Sequence, residues 1–311
     1  MTPSVTICTV TYLRPHGLAR LLDRVAELET GECSLRLVVM DNDVERSAEA
    51  VVEAMKDRAR LDVSYEVEPR RGITYARNRA LEIAVGQAPT FIGWLDDDEA
   101  PRADWLTRLL DTQRATDADV VIGPSEPIFE PGASKWIVDM GAFHAERFVT
   151  GAAFPYFHTR TSGVLVRTSS LPPNGFDDRL ALTGGEDRLF FTQIARAGGR
   201  FVWDDRAIVD EWVPNSRVTV RWLVRRWFRT GVTRSLTMLY LDEPAWPRRL
   251  RRVAGGLVMA TQGGLETLMA APGMPQLAKR RTCLSLSRIS PGLRSAQLSS
   301  RSQMPGSSLV E

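Results

Sequence analysis

The chain has 311 residues, of which 43% are hydrophobic and 25% charged, and a formal net charge of +2. This is ordinary globular composition, enough for one large domain or a domain with an appendage. Three scattered cysteines without Cys-x-x-Cys spacing argue against a disulfide framework or zinc site and fit a reducing cytoplasm, and the dispersed His16, His144 and His158 argue against a histidine metal cluster.

Residues 5–11 alternate and are β-branched, which predicts a first strand. Leucines and small residues at helical spacing predict a helix over 18–29. A continuous apolar run, 35–40, reads as a buried second strand ended by Asp41-Asn42-Asp43. A helix over 48–59, a strand over 63–67, a helix over 72–85 opened by a glycine turn, and a strand over 91–95 follow. Strands alternating with helices imply a mostly parallel α/β sheet with helices on both faces. Ligands bind such sheets at the carboxyl ends of the strands, where Thr11-Tyr12, Asp41-Asn42 and Asp96–Asp98 fall.

Further along, 120–123 reads as a fifth strand. Residues 124–160 lack periodicity and are rich in Pro, Gly, Phe and Trp, as an acceptor-facing segment would be. Their Trp136, Phe143, Phe148, Phe154, Tyr156 and Phe157 suit either stacking on a ligand or anchoring the segment. Residues 161–167 read as a strand, with Gly163 allowing close backbone approach. Gly184-Gly185-Glu186-Asp187 leads into a helix over 189–197, and 201–203 and 207–211 read as short strands. From Val218 the chain becomes a basic, Trp- and Leu-rich helix, and beyond Pro291 disorder is expected. The expected organisation is a catalytic domain over 1–215, divided near 123 into nucleotide and acceptor halves, a basic helical region over 216–290, and a tail over 291–311.

The most informative stretch is Trp94-Leu95-Asp96-Asp97-Asp98-Glu99. Four acidic residues at a strand end repel one another and call for compensation. A divalent cation supplies it, since Mg²⁺ or Mn²⁺ prefers carboxylate and phosphate oxygens. The competing reading is a solvated turn whose Asp98 or Glu99 caps the helix near Trp105. Likewise Glu186-Asp187 suits a general base or acidic capping of a helix start. Asp41 suits either ligand recognition or a strand-ending turn.

These blocks resemble family 2 inverting glycosyltransferases. The likeness is carried by Val5–Pro15, by Val38-Val39-Met40-Asp41-Asn42-Asp43, by Arg71-Gly72-Ile73 through Ala76-Arg77-Asn78, by Leu95–Glu99 and by Gly184–Asp187, and it covers roughly residues 4–215. Glu68-Pro69-Arg70-Arg71-Gly72 and Leu182–Asp187 are especially similar to the exopolysaccharide glucosyltransferases of the succinoglycan type. The resemblance implies a GT-A fold, a UDP-sugar donor such as UDP-glucose, a divalent metal (Mn²⁺ or Mg²⁺), and a saccharide or lipid-linked saccharide acceptor. It implies that Thr9, Thr11 and Tyr12 line the nucleotide pocket, that Asp41 binds the base, and that Arg77 lies near the base or diphosphate. Asp96 would serve the ribose side with Asp97 beside it, Asp98 would ligate the metal, and Asp187 would be the base with Glu186 adjacent. A nucleotide-sugar-binding scaffold would keep Asp41 and Asp96 but lack a usable base, and the intact Glu186-Asp187 pair argues for transfer. No Gly-x-Gly-x-x-Gly follows the first strand, which argues against a dinucleotide dehydrogenase.

Charge is unevenly spread. Residues 217–252 hold ten arginines against Asp242 and Glu243, and 279–311 hold Lys279 and five arginines against Glu311. The first 216 residues therefore carry about ten excess negative charges. Arg221–Arg229 resembles in part the Gln-x-x-Arg-Trp motif of processive family members, with Leu223 where Gln or Arg is expected, so single-sugar transfer is expected. The basic, Trp-bearing helix suits an anionic membrane surface or packing on the domain, and no nucleic-acid motif accompanies it. Residues 253–270 are a poor membrane span, because Gln262, Glu266 and four glycines interrupt them. No basic region precedes the short apolar run at 4–10, so a secretory signal is not expected, and a cytoplasmic protein peripheral on the inner membrane is.

Overall fold

In a computed structural model, which describes residues 2–56 and 61–241, the β-branched run Ser4–Thr11 forms strand β1 in the interior of a seven-stranded sheet. Its neighbours β2 (Ser34–Asp41) and β4 (Phe91–Trp94) run parallel to it, and β3 (Asp62–Val67) runs parallel to β2. The connections are α1 (Pro15–Ala26), α2 (Glu49–Lys56) and α3 (Ile73–Gly86). α1 begins at Pro15, ahead of its first leucine, because proline's fixed φ suits the first helical turn.

The acidic turn after β4 leads into β5 (Glu99–Pro101) and α4 (Trp105–Thr116). β6 (Val120–Ile122), β7 (Ser125–Phe129) and α5 (Lys135–Asp139) follow, so the 124–160 segment holds more regular structure than its composition suggests. Next come β8 (Val164–Arg167), α6 (Glu186–Arg196), β9 (Phe201–Trp203), β10 (Val209–Val213) and α7 (Val220–Leu241). The large sheet has the order β3-β2-β1-β4-β8-β6-β9, and β8 is antiparallel to both neighbours. A second sheet, β5-β10-β7, stands beside it.

Period-2 side chains send β1 into two cores. Val5 and Ile7 meet Leu18, Leu21 and Leu22 of α1 and Trp105 and Leu109 of α4. Cys8, with Val38 and Met40 of β2, meets Ala76, Ala80 and Ala84 of α3 and Phe190 and Ile194 of α6. Each fully buried leucine contributes roughly 1.5–3 kcal/mol, so these two layers fix the helices that bear the polar residues at the sheet edge.

Several other boundaries also differ from expectation, among them three near the acidic segments. The strand expected over 161–167 starts at Val164, since Gly163 sits at φ +60° in a turn. The last strand covers Val209–Val213, because its partners are the short β5 and β7. α6 begins at Glu186, so the acidic pair lies inside its first turn. α7 belongs to the same compact unit, Met1–Glu243, and Leu223 packs with Val218 on Ile137 and Val213. The rest of the expected basic region, with its apolar 253–270 stretch, and the expected tail lie outside the described residues.

Candidate active site

Thr11 pairs with Asp41, and Cys8 with Trp94, so β1, β2 and β4 end on one edge of the sheet. Asp97 turns inward there, accepting hydrogen bonds from the Thr11 hydroxyl and from Arg14 Nη1, each at 2.9 Å. Gly17 makes this possible, because a Cβ at that position would stand 2.6 Å from the Asp97 carbonyl oxygen. Asp98 Oδ2 lies 3.3 Å from Arg14 Nη1 and 3.0 Å from Arg217 Nη2. Glu99 is buried in β5, where Oε1 accepts from the Ser162 hydroxyl and Oε2 from the Asp96 N–H at 2.9 Å. Neither Asp98 nor Glu99 therefore caps α4, whose N-cap is Asp104.

The second acidic motif faces this turn. Gly185, at φ +93°, opens α6, and a Cβ there would lie 2.9 Å from Cβ of Thr233 in α7. The left-handed conformation and the close helix both require glycine. Glu186 is buried, with Oε1 held by Arg77 Nη1 and Oε2 without a partner. Arg77 Nη2 lies 3.5 Å from Asp96 Oδ1. One guanidinium, nearly enclosed and 5.7 Å from the Phe176 ring centroid, thus joins the turn after β4 to the start of α6. Asp187 is half-buried beside it, and its Oδ1 accepts from the Arg188 N–H at 2.6 Å.

Carboxylates crowd this cleft, and their proton affinities rise accordingly. Enclosure lifts Asp96 to about 7, with Arg77 opposing and Asp98, Asp97 and Glu211 adding to it. Its side chain is still 45% exposed, so cleft water relieves part of that enclosure. Burial raises Asp97 against the pull of Arg14, and raises Glu99 well above its ordinary value with Asp96 adding. Glu186 is raised by burial, while Arg77 opposes and Asp187 adds. The site is short of positive charge.

Other expected residues differ in access. Thr9 is fully buried, with its hydroxyl oxygen unpartnered, and Tyr12 is exposed at the mouth of the cleft. Asp41 is fully buried, and its carboxylate accepts from the Asp43 and Ala48 N–H groups and the Tyr65 hydroxyl. It therefore fixes the turn beyond β2. Of the aromatics, Phe154 stacks on Trp203 and Phe143 on Trp222 as anchors, while Trp136 and Tyr156 stay exposed. Arg14, Arg217 and Ser162 belong to the cleft but carried no distinguishing local signal, whereas Glu99 stood out only as the end of the acidic run. Arg14 adjoins the first strand, and Arg217 is one of many arginines in its region.

A divalent cation fits this donor set. Asp96 and Asp98 each keep one carboxylate oxygen with no protein partner among the described residues, and hard cations take such oxygens. No cluster of three or more His, Cys, Asp or Glu side chains able to cage a metal occurs among the described residues. An ion held here would draw its remaining ligands from phosphate and water, as Mg²⁺-type sites do.

The parallel half-sheet and the acidic turn after β4 define the GT-A class of glycosyltransferase folds. Residues 6–168 match the model of the glycosyl transferase family 2. The chain is 38% identical over 231 residues to the succinoglycan biosynthesis protein ExoM of Rhizobium meliloti (strain 1021), covering 74% of this chain and 73% of that protein. This chain belongs to glycosyl transferase family 2, related to enzymes of exopolysaccharide biosynthesis. Its fold is similar to the mannosyltransferase PcManGT of Pyrobaculum calidifontis in complex with GDP-Man and Mn²⁺, with a TM-score of 0.57 and 19% identity, covering 94% of this chain and 82% of that one. It is also similar to S. aureus TarS 1–349 in complex with UDP-GlcNAc, with a TM-score of 0.55 and 15% identity, covering 83% and 72%. The chain spans 43% of the longer S. aureus TarS structure.

Proposed function

We propose that the protein is an inverting, metal-dependent glycosyltransferase that moves a sugar from a UDP-sugar, UDP-glucose being the first donor to test, to a saccharide or lipid-linked saccharide. The observation that supports this reading is the Arg77 bridge between Asp96 and Glu186, which joins the acidic turn after β4 to the helix start that carries the half-buried carboxylate of Asp187. The donor nucleotide lies over Thr9, Thr11 and Tyr12 and the turn that Asp41 fixes. Asp98 would hold the cation, with Asp96 on the ribose side of the donor and Asp97 locking their turn through Thr11 and Arg14. When bound, the cation neutralises charge on the departing diphosphate. Asp187 takes the proton of the acceptor hydroxyl as its oxygen attacks the anomeric carbon and the bond to the diphosphate breaks. Arg77 keeps Glu186 ordered, and so keeps the first turn of α6 aimed at the cleft.

In support of a peripheral membrane location, α7 exposes Val220, Val224, Trp227, Phe228 and Val232, interleaved with Arg221, Arg225 and Arg229. No helix among the described residues is long and apolar enough to cross a membrane. The test of function is Asp187→Asn, assayed for transfer from UDP-sugars and for UDP affinity. We expect transfer to fall by about 10²–10⁴ with UDP affinity kept. Retained transfer would sink the base assignment, nucleotide-sugar binding without transfer to any saccharide would favour the scaffold reading, and failure of every UDP-, GDP- and dTDP-sugar to raise the unfolding midpoint with Mn²⁺ would overturn the donor site itself.

A further inference from the structure

A cavity of about 170 Å³ opens beyond the carboxyl ends of β6 and β9, between Gly123 and Trp203. β6 lies two strands from β4, which puts the cavity about 10 Å along the sheet edge from Asp96–Asp98. Phe143, Phe154 and Trp203 form apolar walls, Glu146 lies exposed at the rim, and Arg160 and Arg226 supply the cations. Cζ of Arg226 stands 5.2 Å from the Trp222 ring centroid and 5.9 Å from that of Phe143, so its guanidinium is held against rings and partly stripped of water.

Among the described residues, neither Arg160 nor Arg226 has a carboxylate within ion-pair distance, whereas Arg217 is engaged by Asp98 and Glu211. The acidic groups that act on them are already committed. Glu99 is bound to Ser162 and the Asp96 N–H, and Glu211 to Ser125 and Arg217. Burial lowers the Arg226 pKa, Glu211 opposes, and Arg160, Arg217 and Arg229 add to the lowering. A cluster of cations that is partly out of water is costly until an anion completes it.

We propose that this cavity binds a phosphate group of the acceptor, ester or diphosphate, between Arg160 and Arg226. This rests on reading the adjoining cleft as a transfer site. Guanidinium forks match phosphate oxygens bidentately, and the volume suits one phosphate group rather than a nucleoside. The Tyr156–His158 turn, which leads to Arg160, packs on α6, so one body carries both the anion site and Asp187. A phosphorylated glycan and a prenyl diphosphate carrier share this chemistry.

The test uses the full chain saturated with UDP and Mn²⁺, so that the donor diphosphate position is filled. Inorganic phosphate, inorganic pyrophosphate and farnesyl diphosphate are titrated by calorimetry. At least one should bind, and Arg160→Ala and Arg226→Ala should each weaken it about tenfold or more, the worth of a charge-assisted hydrogen bond, with UDP affinity kept. Arg226→Lys, which keeps charge but not the fork, should fall between. Preference for farnesyl diphosphate would assign the lipid carrier, and phosphate binding equally well would assign a glycan phosphate. No binding of any of the three, or unchanged binding in both alanine variants, would overturn the proposal. Failure of UDP itself to bind would overturn the donor reading instead, and the same titrations would then be read on the UDP-free protein.

Discussion

Arg77→Met keeps most of the side-chain volume and deletes the charge that two carboxylates share. Glu186 then stays only 8% exposed with no cation beside it, and its Oε2 already lacks a partner. Breaking a buried pair from one side costs about 3–5 kcal/mol. Asp96 adds little, because solvent screens it. Glu186 avoids part of the cost by keeping a proton, so the net loss should be about 3 kcal/mol, or roughly 6–12 °C in Tm for a unit of this size. Burial already raises the Glu186 pKa, and removing Arg77 raises it further. Between the ordinary carboxylate value and that raised value, the folded chain holds a proton the unfolded chain has released. Stability therefore falls as pH rises through this window and recovers in acid. Adding Glu186→Gln to Arg77→Met replaces the carboxylate with a neutral amide and should restore most of the loss. Thermal unfolding of the four proteins of this cycle, across mildly acidic to alkaline pH, measures the coupling. A double variant no more stable than Arg77→Met, with a flat pH dependence, would refute the bridge as the source of the energy.

Three further outcomes test the cleft and the helix. Thr11→Val removes a hydroxyl from a buried carboxylate while keeping shape, and should cost about 1.5–3 kcal/mol in urea unfolding, with weaker metal-dependent UDP binding. Gly17→Ala gains about 1 kcal/mol of helix propensity but drives a methyl against the Asp97 carbonyl, so UDP affinity measured by calorimetry should drop more than stability does. Trp227→Ser with Phe228→Ser should reduce sedimentation with anionic phospholipid vesicles and leave turnover of a soluble acceptor unchanged. Equal sedimentation would argue that α7 does not face lipid.

The strands of the parallel half were legible because their signal is local. β-branched residues in β1 and unbroken apolarity in β2 mark strands buried on both faces, and the polar residues at their carboxyl ends could be singled out from position alone. The short second sheet was not legible, since the three residues of Glu99–Pro101 cannot show a period. Nor was the direction of β8, because an antiparallel neighbour is chosen by the connection and not by the strand's own residues. Asp41 could be placed at a strand end, but only packing decided that its oxygens serve the turn beyond it. The same holds for the cleft. Asp96, Asp98, Glu186 and Asp187 stood out as acidic runs after apolar or glycine segments. That Arg77 reaches Glu186, 109 residues away, and that Arg14 and Arg217 meet at Asp98, depends on how three helices dock on one sheet edge. Local pattern determined which elements form and which residues lie at their ends. Tertiary packing decided which charges share a low-polarity cleft, because Coulomb energy depends on distance in space and on excluded water, and neither is encoded in spacing along the chain.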